Sequence, residues 1–335
     1  MLSQIGKLLG VILLVSVVAC SQQEPLLVVG GPSMGTTWSV KAVANNGQSS
    51  EVLQAALQQE LDTIEALMST WRDDSEVSQF NRAVAGCYPV STATIHVIES
   101  SLKVSEQTAG AFDITVAPLI RLWGFGKRFT GDAVPSDTDV SERLNHTGYQ
   151  QLSINGGQLC KGSDKLEINL SAIAKGFAVD RLASQLQQLA YEHYLVEVGG
   201  ELYAKGRSPA DRPWTIGVEQ PISDGRAIME SIAVPIANQG VATSGDYRNY
   251  FEKKGKRYSH ILNPVTGKPV AHQLASVTVL AKTSMQADAW ATALLVMGVE
   301  KGLQAANAQG LAVLMIEHSD EGGVFKVHQS MQWRL

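Results

Sequence analysis

The chain has little cysteine, little aromatic area and no excess of positive charge. Three cysteines among 335 residues are too few for a disulfide scaffold. No CxxC pair is present, which excludes the usual zinc and thioredoxin-type arrangements. With 27 Lys and Arg against 32 Asp and Glu, the net charge is -5, so no cationic field exists for holding a nucleic-acid backbone, and no nucleic-acid partner is expected. There is no Gly-X-Y period and no Gln/Asn tract, which excludes collagen-like and low-complexity chains. No GxGxxG turn is found, against a nicotinamide dehydrogenase, and no HExxH; Ser244 has no assignable triad partner. What is plentiful is apolar character, 44% of residues, enough at this length for a large buried core.

The only long apolar run opens the chain. Lys7 precedes the stretch from Leu8 to Ala19, shorter than the roughly 20 residues a bilayer span needs and ending in small residues, as a cleaved export signal does. Val17-Val18-Ala19-Cys20 resembles the bacterial lipobox, in which the signal is removed before the cysteine and the cysteine carries the lipid. Residues 1–19 are thus read as a lipoprotein signal peptide, 20–32 as a lipid-anchored tether, and 33–335 as the globular domain. Acyl chains (palmitate among them) on Cys20 would hold the protein on a membrane. Cys87 and Cys160 remain, either as a disulfide or as buried thiols.

Along the globular part, Ser33 to Val43 alternates as a strand does. Ser50 to Met68, Thr92 to Thr108, Asp137 to Gly148 and Ser171 to Leu189 read as helices, the last with Ser171 as its N-cap. Strands are expected at Leu152–Ile154, Leu166–Ile168, Tyr194–Val198, Trp214–Val218, Ile228–Pro235 and Ala312–Ile316. Helices are expected over Met285–Met297 and Val299–Ala308. No repeat and no internal linker is found, and the alternation predicts mixed α/β layers folded as one unit.

Four constellations carry candidate chemistry. Asp288 and Thr292 stand one helical turn apart and project from one face. They present two hard oxygens to Mg²⁺, or serve only as a dipole-complementing acid and a filler residue. Asn169 to Asp180 leads into a helix N-terminus, where backbone N–H groups favour anions. Lys175 there is a phosphate contact or a solvated cation, and Asp180 is read as a salt-bridge partner. Gly110-Ala-Phe-Asp-Ile-Thr-Val-Ala-Pro-Leu followed by Leu122-Trp-Gly-Phe-Gly puts Asp113 beside aromatics, either a pocket for a flat heteroaromatic ring or a core cluster with a turn acid. His260 stands in a polar, turn-rich context as a general base or a structural histidine.

Taken in order, the motifs resemble the ApbE family of FAD:protein FMN transferases. They are Met34-Gly-Thr-Thr-Trp, Ser69-Thr-Trp-Arg, Gly110-Ala-Phe-Asp, Ala174-Lys-Gly-Phe-Ala-Val-Asp, Val198-Gly-Gly-Glu-Leu, Thr243-Ser-Gly-Asp-Tyr, Ser259-His-Ile-Leu-Asn-Pro-Val-Thr-Gly and Ala287-Asp-Ala-Trp-Ala-Thr-Ala-Leu. The resemblance implies an α/β (α+β) fold with T-fold-like mixed layers of antiparallel sheet and helices, one catalytic unit with two lobes. It implies that Met34, Trp71, Ala111, Phe112, Asp113, Asn169, Lys175 and His260 contact FAD, and that Asp288, Thr292 and the Ala172 carbonyl hold Mg²⁺, with His260 and Asp288 catalytic. FMN would pass to a Thr or Ser hydroxyl, releasing AMP, at the periplasmic face of the inner membrane. The implied acceptors are subunits of sodium-pumping NADH:quinone reductase or related complexes. At Asn169 the family commonly has Asp, so this chain brings an amide and no charge there. An FAD pyrophosphatase and a non-catalytic flavin-binding lipoprotein are the competing readings.

Overall fold

The computed structural model describes residues 26–44, 49–127, 134–219, 231–246, 250–319 and 325–334. The residues read as a signal peptide, and Cys20, lie outside the described residues. The hairpin β1 (Leu26–Ser33) and β2 (Thr36–Val43) comes first, its turn residues Met34 and Gly35 both at positive φ, as a two-residue hairpin with right-handed twist requires. Most of β1 lies in the stretch read as tether. Leu26, Leu27, Val28 and Val29 have the β-rich composition of an edge strand and pair with Val43, Ala42, Lys41 and Val40 of β2, so the tether reading fails from Leu26 onward.

The helices α1 (Ser50–Met68) and α2 (Glu76–Arg82), the strand β3 (Gly86–Pro89), and α3 (Thr92–Gln107), α4 (Ala117–Leu122) and α5 (Asp137–Leu144) follow. Then β4 (Leu152–Asn155) and β5 (Gln158–Lys161) join β3 in a three-stranded sheet, in which Cys87 and Cys160 face each other and are disulfide-bonded. After α6 (Ala174–Gln188) come the hairpin β6 (Tyr194–Val198) and β7 (Glu201–Lys205), the paired β8 (Trp214–Glu219) and β9 (Ser231–Ile236), and β10 (Gln239–Gly245). Two small hairpins, β11 (Tyr250–Lys253) with β12 (Lys256–Ser259) and β13 (Leu262–Asn263) with β14 (Lys268–Pro269), precede β15 (Leu274–Ala281), α7 (Ser284–Ala308), β16 (Ala312–His318) and β17 (Phe325–Gln329).

The main sheet has eight strands in the order β1-β2-β6-β7-β10-β15-β16-β17, every neighbouring pair antiparallel. Its strands therefore run in chain order, with the helices inserted between them. Period-two alternation divides its two faces. Val277, Val279, Val313 and Met315 point into the large core under α1, α3, α6 and α7. Val241, Leu314 and Ala204 point to the other face, where the β8–β9 hairpin covers them with Trp214, Ile216, Val218, Val234 and Ile236. A third core, built on Leu119, Trp123, Val140, Phe251 and Leu262, forms a smaller lobe from α4, α5 and the small hairpins.

Local chemistry explains the element ends. Ser49, Ser75, Ser91, Ser136 and Thr283 each cap a helix by accepting a backbone N–H, as short hydroxyl side chains do. Ser171 does not cap α6. Its hydroxyl donates to Asn169 Oδ1 at 2.6 Å, so the chain turns there and the helix starts at Ala174. No strand forms at Leu166–Ile168: the Asn81 side chain both donates to the Ile168 carbonyl and accepts its N–H, at 2.9 and 2.8 Å, taking the place of a strand partner. The break expected between Met297 and Val299 is present, since Gly298 sits at φ 76 within α7.

Candidate active site

Between the two lobes lies a cavity of about 810 Å³. The large lobe contributes Asn169, Ser171, Ala172, Lys175, Gly199, Glu201, Ser244, Asp288 and Thr292, and the smaller lobe contributes Phe125, Tyr250 and His260. The loop before α4 supplies Ala111, Phe112 and Asp113, and the α1–α2 connection supplies Trp71 at the rim, 65% exposed. Every residue expected from the sequence to form the site is thus brought to one cavity, with one exception. Met34 sits half-buried in the β1–β2 turn, where its N–H donates to Glu65, and it is not among the lining residues.

The floor of the cavity depends on the docking of α6 against α7. The first N–H groups of α7 are all satisfied: Ser284 and Met285 donate to the two oxygens of Asp180, at 2.8 and 2.9 Å, and Gln286 donates to Thr283, which fixes a helix end that would otherwise carry orphan donors. Asp180 is therefore the cap of α7 from a neighbouring helix, and its expected role as a salt-bridge partner is replaced by that one. Burial pushes its carboxyl up to about 6. Gly176 sits where α6 meets α7, and a Cβ there would fall 2.4 Å from the Ser284 carbonyl oxygen, so only glycine permits the contact. The Gly176 N–H donates to Asp288 Oδ2 at 3.0 Å. That donor, expected to face an anion, is already engaged by the carboxylate.

With α7 docked, Asp288 and Thr292 face the cavity. Asp288 is fully buried, and burial raises its carboxyl pKa against the pull of Lys175 and the Gly176 N–H. The Thr292 hydroxyl is hydrogen-bonded to Ser244 Oγ at 3.1 Å. Lys175 is ion-paired with Glu201, and the Gly199 turn makes room for its stem: a Cβ on Gly199 would lie 3.1 Å from Lys175 Cδ and 2.8 Å from Thr36 Cγ2. Burial, reinforced by Asp288 and opposed by Lys175, pushes the Glu201 carboxyl up to about 7. Glu201 was not among the residues singled out from the sequence, although it stands in the Val198-Gly-Gly-Glu-Leu motif. The available signal was an acid immediately after a glycine pair, at the start of an inward-facing strand.

Asp113 holds the loop above the cavity. Its oxygens accept from the Thr115 N–H and hydroxyl at 2.8 and 2.6 Å and from the Tyr149 N–H at 2.8 Å, and burial raises its pKa against these bonds. The aromatics of this stretch divide. Trp123 is a core residue, donating from Nε1 to the Gly267 carbonyl at 2.7 Å and stacked on Tyr258, whereas Phe112 and Phe125 line the cavity. The His260 ring meets the Phe125 ring nearly edge-on, with centroids 6.3 Å apart.

Among the described residues, no group of three or more His, Cys, Asp or Glu could hold a metal ion. The expected ligand set is of another kind: one carboxylate, one hydroxyl and the Ala172 carbonyl, all hard oxygens of the sort Mg²⁺ accepts while keeping water and substrate oxygens. The Glu201 Oε2 atom, in the lining of the same cavity, is buried without a hydrogen-bond partner. The donor set fits a hard divalent cation.

Comparison with known proteins agrees with this geometry. The family model for the ApbE family matches residues 34–315. A protein of Vibrio cholerae serotype O1 called FAD:protein FMN transferase is 42% identical over 317 residues, 94% of each chain. One of the same name from Haemophilus influenzae is 37% identical, over 96% of this chain and 95% of that one. The solved flavin transferase ApbE from Vibrio cholerae superposes with a TM-score of 0.85 at 40% identity, over 92% of this chain and 99% of that one. The apo flavinyl transferase ApbE from Pseudomonas stutzeri has the same TM-score and identity, over 92% and 96%. On the motifs, the architecture and these relatives together, the chain belongs to the ApbE family.

Proposed function

We propose that this protein transfers FMN from FAD to a Thr or Ser hydroxyl of an acceptor protein and releases AMP. The observation that carries the reading is that one cavity is lined both by the aromatic residues Trp71, Phe112 and Phe125 and by Lys175, Asp288 and Thr292, the two kinds of surface that an isoalloxazine ring joined to a diphosphate needs. The relatives named above carry FMN transfer from FAD to protein in their names. Trp71 and Phe112 bind the ring, and Asn169 offers hydrogen bonds without charge. Lys175 holds the diphosphate.

Asp288, Thr292 and the Ala172 carbonyl would hold Mg²⁺, which when bound neutralises the diphosphate and the leaving AMP. The acceptor oxygen forms a bond to the FMN phosphorus, the bond from that phosphorus to the AMP oxygen breaks, and AMP departs as the anion. His260 takes the hydroxyl proton as general base. The proposed location is the periplasmic face of the inner membrane, with the lipid on Cys20 as anchor; the Cys87–Cys160 disulfide supports an oxidising compartment. Subunits of sodium-pumping NADH:quinone reductase, or of related electron-transport complexes, are the proposed acceptors.

The test is mass spectrometry of such a subunit after incubation with the protein, FAD and Mg²⁺. An FMN-sized adduct on a Thr or Ser, with one AMP per adduct, is expected. Free FMN and AMP without an adduct would make the protein a pyrophosphatase, and intact FAD would make it a binding protein.

A further inference from the structure

This inference rests on the flavin-transfer reading. Glu201 opens β7 and is 4% exposed. One of its oxygens holds the Lys175 ammonium, and the other, Oε2, is buried with no hydrogen-bond partner. Asp288 lines the same cavity as Glu201 and Lys175, and its Oδ2 accepts the N–H of Gly176, the residue that follows Lys175. Among the described residues, two carboxyl groups thus stand against one ammonium, and at pH 8, above the value of about 7 to which burial pushes Glu201, this part of the cavity carries an excess of negative charge where solvent screens little. A diphosphate arriving there meets repulsion, and the ammonium that should receive it is already clamped by Glu201. A bound divalent cation reverses the local sign.

We propose that Glu201 is a positioning residue that makes diphosphate binding conditional on a divalent cation. It clamps Lys175 and, together with Asp288, keeps the inner end of the cavity negative until the cation is in place. It acts through Lys175 and the local charge, without touching the substrate. Replacing it by glutamine keeps the shape and a hydrogen bond to Lys175 while removing the excess charge. Replacing Lys175 by glutamine moves the charge the other way.

The experiment measures FAD affinity of the full chain by isothermal titration calorimetry, in EDTA and in Mg²⁺ at pH 8 and one ionic strength, with thermal melts to verify folding. For the unmodified protein, Mg²⁺ tightens FAD binding by about tenfold or more. Glu201→Gln shrinks that ratio to about threefold or less by binding FAD more tightly in EDTA, a gain that damage to the fold does not produce. Lys175→Gln widens the ratio, and this arm decides alone if Glu201→Gln does not fold. A Glu201→Gln protein that loses affinity equally in both conditions, or a Lys175→Gln ratio that is unchanged or narrower, overturns the inference. An unmodified protein that binds FAD in neither condition overturns the flavin-transfer reading as well.

Discussion

Replacing Asp180 by asparagine tests how the fold carries the site, because Asp180 holds the N-terminus of the helix that presents Asp288 and Thr292. In the folded chain its carboxyl retains a proton up to about 6, where an unconstrained Asp releases it near 3.8. Between those values the folded state binds more protons than the unfolded one, so this group's contribution to stability falls as pH rises through the window and is level outside it. The full gap corresponds to about 3 kcal/mol. Asparagine does not titrate, but one of the two backbone N–H groups loses its acceptor, at about 1 kcal/mol independent of pH. Urea unfolding of both proteins at fixed ionic strength should therefore find Asp180→Asn less stable than the parent by about 0.5 kcal/mol near pH 4 and more stable by about 2 kcal/mol near pH 7.5. Titrating groups outside the field of Asp180 cancel in the difference. A difference that stays constant across this range, or moves the other way, would refute the reasoning.

Other outcomes follow from the same geometry. Trp71→Ala removes an aromatic face that is 65% exposed at the rim, so steady-state kinetics should record a KM for FAD raised about tenfold, with stability changed by less than about 0.5 kcal/mol. His260→Ala should lower kcat by about 10²- to 10⁴-fold while KM for FAD moves far less, the signature of a lost proton acceptor. Replacing Cys87 and Cys160 by serine opens a loop closed over a sequence separation of 73. On the loop-entropy account this costs about 4 kcal/mol, seen as a lower Tm that reductant no longer affects.

The helices were legible because their apolar positions recur at a helical period: Leu53, Leu57, Leu61 and Ile64 are the buried face of α1, and the break at Gly298 interrupts the pattern visibly. Where hydrogen bonding departs from the local pattern, reading failed. Ser171 has the composition of a cap, yet Asn169 takes its hydroxyl. Leu166 to Ile168 has the composition of a strand, yet its partner is the side chain of Asn81, 87 residues away. β1 was hidden by its closeness to the signal segment, since an edge strand without a visible partner reads like a tether. At the site, motif order located the residues, but the chain alone could not reveal that Glu201 clamps Lys175. That pairing spans 26 residues and exists only because β7 and α6 pack together.

At the centre of the proposed chemistry stands a divalent cation held by the carboxylate and hydroxyl of α7 against the diphosphate of a flavin nucleotide. A crystal grown with FAD and Mn²⁺ should give an anomalous difference peak in contact with Asp288, Thr292 and the Ala172 carbonyl. Flavin in the cavity with no peak at those atoms, or a peak elsewhere, would contradict it.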